Sequence, residues 1–129
     1  MPAVDPSTLP AKGRALLAVI VAEIRSGRIK KNDRKSFLPY SEALAALGHP
    51  NPKELSGRRL QSEGLTDLNE WTKLSPDLPK VCGLIVNMSS WAPTETYAES
   101  HGFPTGGNWE KWWFEETTKA IDYDWSPYV

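Results

Sequence analysis

Eleven prolines and nine glycines cut this chain of 129 residues into short segments, and that punctuation limits what it can fold into more than any other feature. Proline cannot continue a helix or serve a central strand, and glycine favours caps and turns, so each marks a boundary. Between the boundaries the apolar residues recur mostly at helical spacing. The expectation is an α+β domain, mostly helical with a small β-sheet.

After an irregular lead-in over residues 1–9, Leu16, Leu17, Ile20, Val21 and Ile24 define a first helix that stops at Gly27. A polar connector follows, carrying Arg25, Arg28, Lys30, Lys31, Arg34 and Lys35 against Asp33 alone. Tyr40, Ala43, Leu44 and Leu47 share one face of a second helix, with Pro39 at its start and Gly48 at its end. The break His49-Pro-Asn-Pro52 leads to a third helix, which Asn51 caps with Glu54 in a capping-box pattern and Gly64 closes. Asp67 and Glu70 repeat the cap signature ahead of a short fourth helix with Leu68, Trp71 and Leu74, ended by Pro76 and Pro79.

Val81 to Asn87 is a continuous apolar run of strand length. Residues 88–108 read as a long loop, and Asn108 as the cap of a fifth helix lined by Trp109, Trp112, Trp113, Thr117, Ala120 and Ile121. The alternation in Ile121-Asp-Tyr-Asp-Trp125 predicts a half-buried strand able to pair with 81–87. The whole chain reads as one domain over residues 1–129. It has a three-helix, helix-turn-helix-like part at 10–64 and a small sheet with a Trp-rich helix at 65–129.

Apolar residues make up 40% of the chain and charged ones 24%, which suits a globular domain and argues against disorder. The formal net charge of −1 does not mark a nucleic-acid binder, but its distribution is uneven. Residues 1–87 hold 13 Lys and Arg against 9 Asp and Glu, and residues 88–129 hold 2 against 7. Two faces with different partners, or two halves that attract each other, would both produce that split. Cys82 is the single cysteine, so no disulfide forms within the chain. His49 and His101 are too scattered to build a zinc site with it, and no metal or cofactor is expected. The start lacks the pattern of a secretory signal, and the apolar stretch Ala15 to Ala22 is far short of a bilayer span. The default compartment is the cytoplasm.

Phe37-Leu-Pro-Tyr-Ser-Glu-Ala-Leu-Ala-Ala-Leu-Gly48 resembles the Tyr-Gly-Glu-x-Ala…Leu-Gly opening of the winged-helix DNA-binding domain in alkylguanine alkyltransferase-like proteins. Ser56-Gly-Arg-Arg-Leu60 is similar to the recognition helix of that family. The resemblance implies a winged-helix-like fold in which Tyr40, Arg58 and Arg59 engage DNA. The family's reactive Pro-Cys-His-Arg motif is absent, Pro79-Lys-Val-Cys82 standing in its place, so alkyl transfer is not implied. Leu78-Pro79 to Asn87 and Tyr123-Asp-Trp-Ser126 also resemble an uncharacterised family of small bacterial proteins found near mobile-element and phage-defence genes. That likeness spans about residues 28–128 and carries no activity.

Two functional readings remain open. In the first, helix three is a nucleic-acid contact. Lys53, Arg58, Arg59 and Gln61 supply donors for phosphates and base edges, and Tyr40 with Arg28, Lys30, Lys31, Arg34 and Lys35 supports them. The bland counterpart is a solvated helix beside a charged loop. In the second, the acidic, Trp-rich C-terminal part anchors a protein partner, as an inhibitor or accessory factor would, through Trp91, Trp109, Trp113 and Glu116. Its bland counterpart is that tryptophans at helical spacing are core. Neither reading is catalytic. Asp122 with Asp124 and Glu115 with Glu116 lack the third group that acid–base or metal chemistry requires. The loop Gly102 to Gly107 is no phosphate-binding motif.

Overall fold

Most apolar positions of the described helices pack against one core, whereas Leu74, grouped with Leu68 and Trp71 on the fourth helix, is 60% exposed because the chain there winds into a 3-10 turn. The computed structural model describes residues 4–49, 56–93, 97 and 109–129. Helix α1 (Ala11–Arg25) turns Leu16, Leu17, Ile20 and Val21 inward and stops at Gly27, which adopts φ +83°. The lead-in is more ordered than expected. Asp5 accepts the Ser7 N–H to cap a 3-10 turn at Pro6–Thr8, and Leu9 is buried.

Helix α2 (Tyr40–Ala46) buries Tyr40, Ala43 and Leu44 and packs against α3 (Ser56–Leu60). The expected cap and first turn of α3, with Asn51, Pro52, Lys53 and Glu54, lie outside the described residues. Gly64 does close α3, but not by letting the chain go. A wide turn of π type over Gln61–Leu65 carries the backbone straight into α4 (Thr66–Trp71). Gly64 sits there at φ +133°, so close to α1 that a Cβ would lie 2.5 Å from the Lys12 carbonyl oxygen. Only glycine fits that conformation and that approach. For the same reason the expected cap by Asp67 is not made. The turn already supplies partners at the start of α4, and no side chain caps it. Glu70 pairs with Lys73 instead.

The sheet differs from the one expected. Of residues 81–87 only Ile85–Val86 is extended, and this strand, β2, runs parallel to β1 (Leu38–Pro39) with Leu38 opposite Ile85 and Pro39 opposite Val86. Val81–Leu84 instead winds into a 3-10 turn. The cause is aromatic: the indole Nε1 of Trp113 donates to the Gly83 carbonyl at 2.7 Å, and a Cβ on Gly83 would meet the Tyr97 hydroxyl at 2.8 Å. A parallel pair needs a crossover, here supplied by α2, α3 and α4.

Residues 121–125 are not a strand. Helix α5 (Trp109–Asp122) takes in Ile121 and Asp122, with Trp113, Thr117 and Ala120 on its buried side. Trp125 then folds back, its Nε1 donating to the Ala120 carbonyl at 2.8 Å. The alternation of apolar and acidic residues there reflects a turn returning over the helix end. The core joins all these elements. Phe37 meets Trp113 edge-on at 5.8 Å, and Trp71 meets Tyr128 edge-on at 4.9 Å.

Candidate nucleic-acid interface

Helix α3 presents the chemistry expected of a contact element on a well-anchored base. Leu60 has no exposed surface and fixes the helix to the core. Arg58 is exposed, and among the described residues no carboxylate pairs with it. Gln61, at the start of the π turn, is exposed too, whereas Arg59 is half-buried and engaged within the fold. Within the turn Glu63 has two basic side chains beside its carboxylate, Lys12 at 3.7 Å and the His49 imidazole at 3.5 Å. Lys12 also donates to the Ser62 carbonyl. Nothing in the sequence flags Lys12 or His49 as neighbours of this turn, because α1 and the α2–α3 junction meet only through tertiary packing.

The connector between α1 and β1 is built around Asn32, at φ +58°, and Ser36, whose hydroxyl accepts the Lys30 N–H at 2.8 Å and donates to the Asp33 carbonyl at 2.6 Å. Of its five candidate cations, three are already paired. Arg28 bridges Glu42 at 2.8 Å and Glu23 at 3.3 Å; the hydrogen bond to Glu42 raises its pKa further, against the opposing effect of burial. Lys31 meets Asp122 at 2.6 Å and Arg34 meets Glu110 at 3.7 Å, both acids belonging to α5. Arg34 is held by more than charge. Its Nε donates to the Trp91 carbonyl at 3.1 Å, and its guanidinium lies 5.0 Å from the Trp113 ring centre and 5.8 Å from that of Phe114. Lys30 and Lys35 remain exposed. The uneven charge of the sequence therefore serves in part to bring the halves together. Tyr40 lies in the core with 9% of its surface exposed, so its ring helps seat α2 on the sheet.

The aromatic surface of the second reading is mostly interior. Trp113 has no exposed surface and Glu116 only 8%, its carboxylate bonded to Lys119 at 2.9 Å. Trp109 lies tilted against Trp113, ring centres 5.7 Å apart, and is half-buried. Trp91, also half-buried, occupies a left-handed conformation at φ +52° in a tight turn, its N–H bonded to the Asn87 carbonyl at 2.6 Å. Between the connector and α5 runs an open groove of about 670 Å³, lined by Asn32, Lys111, Phe114, Glu115, Thr118 and Lys119.

A buried thiol and a half-buried ammonium serve the fold. Burial pushes the Cys82 thiol far above its ordinary range and lowers the Lys80 ammonium, which donates to the Thr72 carbonyl at 2.6 Å at the end of the α4 segment. Asp122 and Asp124, expected on one strand face, are apart in role: Asp122 holds Lys31, and Asp124 accepts the Ser126 N–H at 3.0 Å. Among the described residues no group of three or more His, Cys, Asp or Glu side chains is placed to hold a metal ion, and no helix is long and apolar enough to cross a membrane. No family model matches the chain, and no curated protein or solved structure shows significant similarity to it.

Proposed function

We propose that this chain is a non-enzymatic nucleic-acid-binding module of winged-helix-like build, in which α3 lies against the polyanion. The observation that carries the reading is the division of labour at the end of α3: Leu60 is wholly buried, while Arg58 and, at the first position of the following turn, Gln61 are exposed. A long cationic donor and a long amide donor on a rigid base suit phosphate contact and base-edge reading respectively. The order of β1, α2 and α3, with α3 packed on α2, is that of a helix-turn-helix unit, which supports the same reading. The partner-surface alternative draws less from the geometry, since Trp113 and Glu116 are committed to the interior.

The test is a polarisation titration against labelled duplex and single-stranded DNA at two salt concentrations. Binding is expected to weaken steeply with salt, because released counterions drive it. Arg58→Ala should weaken it on every sequence and reduce the logarithmic salt slope by about 0.9, the value for one lost phosphate contact. Absence of binding at low salt, or binding indifferent to Arg58→Ala, would overturn the reading.

A further inference from the structure

We infer that the connector over residues 30–35 is a second phosphate-binding surface, whose cations the carboxylates of α5 occupy in the free protein. The inference rests on the nucleic-acid reading above and adds an intramolecular competitor to it. Four cations, Lys30, Lys31, Arg34 and Lys35, lie within six residues whose single acid is Asp33. Two of them carry α5 acids, at opposite ends of that helix: Glu110 in its first turn on Arg34, and Asp122 at its last residue on Lys31. These carboxylates stand where phosphate oxygens would.

The two pairs bracket the groove beside Asn32, and Lys111 and Lys119 line the same groove from α5. Releasing the two acids would leave Lys31 and Arg34 beside a groove that Lys111 lines, with Lys119 still paired to Glu116 and Glu115 the remaining acid of its lining. Both pairs are exchangeable. The Lys31 and Asp122 side chains are 46% and 58% exposed, and Glu110 is 56% exposed, so solvent screens each attraction. Arg34 does not depend on Glu110 for its place. The Trp91 carbonyl and the two aromatic rings hold its guanidinium whether or not the acid is there. A phosphate backbone, with its dense negative charge, therefore meets one prepositioned guanidinium and one loosely engaged ammonium. Lys30 and Lys35 stand exposed on either side of them.

The experiment compares the wild-type chain with Glu110→Gln/Asp122→Asn on one labelled DNA duplex over a range of salt. The charge-matched control is Asp67→Asn/Glu70→Gln on α4, and thermal melts verify that every variant is folded. The double variant is expected to bind several-fold tighter, with a logarithmic salt slope steeper by about one to two, one increment for each cation newly set on a phosphate. Adding Lys31→Ala to it should return part of that steepening. If the wild type binds through Arg58 and the double variant keeps the same affinity and slope, the inference fails and the α3 reading stands. Equal gains in the α4 control would also overturn it, since they would reflect net charge alone. If neither wild type nor double variant binds, both readings fall together.

Discussion

At Cys82 the chemistry of a single residue is set by what surrounds it. The thiol is buried within the 3-10 turn, facing the Leu65 carbonyl at 3.9 Å, so its charged form is held off and it is a poor nucleophile. Native protein should resist a thiol reagent at mildly alkaline pH and react fully once denatured, as mass spectrometry would record. The same burial fixes a pH dependence. Desolvation raises the folded-state pKa of Cys82 above its ordinary value of 9.0 and that of Tyr97 above 10.0. A group raised in the fold stabilises below its unfolded pKa, and that stability drains away as pH climbs beyond it. Thermal midpoints should therefore fall from about pH 9 upward, and Cys82→Ala should move the onset towards the tyrosine range. An unchanged onset in Cys82→Ala would contradict the assignment. From sequence, Cys82 in an apolar run is legible as a small buried hydrophobe. Tyr97 lay within a stretch read as loop, and only the packing of α5 over Gly83 brings its ring there.

At the scale of elements, the turn that links α3 to α4 depends on one backbone position. Gly64 combines a left-handed φ of +133° with contact to the Lys12 carbonyl, so Gly64→Ala meets both strain and a clash with backbone. A loss of about 1–3 kcal/mol is expected in urea unfolding, the range for a forced unfavourable backbone conformation. A substitution within 0.5 kcal/mol of wild type would remove the turn's claim to hold α3 in place, since that is the scatter of ordinary surface changes. The sequence marked Gly64 correctly as a boundary but mistook its kind. A stop and a wide continuing turn both call for glycine, and only the nearness of α1 tells them apart. The strands follow the same logic. Ile85 and Val86 have the composition of a buried strand, but Leu38-Pro39 is too short for alternation to show, so the partner was out of reach of local pattern. In the candidate interface, Arg58 and Gln61 were recognisable as exposed from their place on the helix. The pairing of Lys31 and Arg34 with α5 was not, because the residues concerned are some 76 to 91 positions apart.

For the molecule as a whole, the two ends of the described chain close on each other. The Tyr128 hydroxyl accepts the Val4 N–H at 3.2 Å and donates to the Val4 carbonyl at 3.1 Å, while the Trp71 indole donates to Thr8 at 3.0 Å. Tyr128→Phe keeps the ring against Trp71 but removes both hydroxyl bonds. It should cost about 0.5–1.5 kcal/mol each before neighbouring water compensates, and hydrogen exchange should quicken over residues 4–9 rather than across the core. Uniform acceleration would show that the tie supports the entire fold. By itself the sequence determined that α1, α2 and the Trp-rich helix form, which of their faces are apolar and where glycine and proline interrupt the chain, because those depend on residues close in the chain. Tertiary structure alone decided which strand pairs with which, that Glu116 is interior, and that the acids of α5 sit on the connector. Those outcomes depend on distant segments competing for the same core and the same charges, and local periodicity carries no record of that competition.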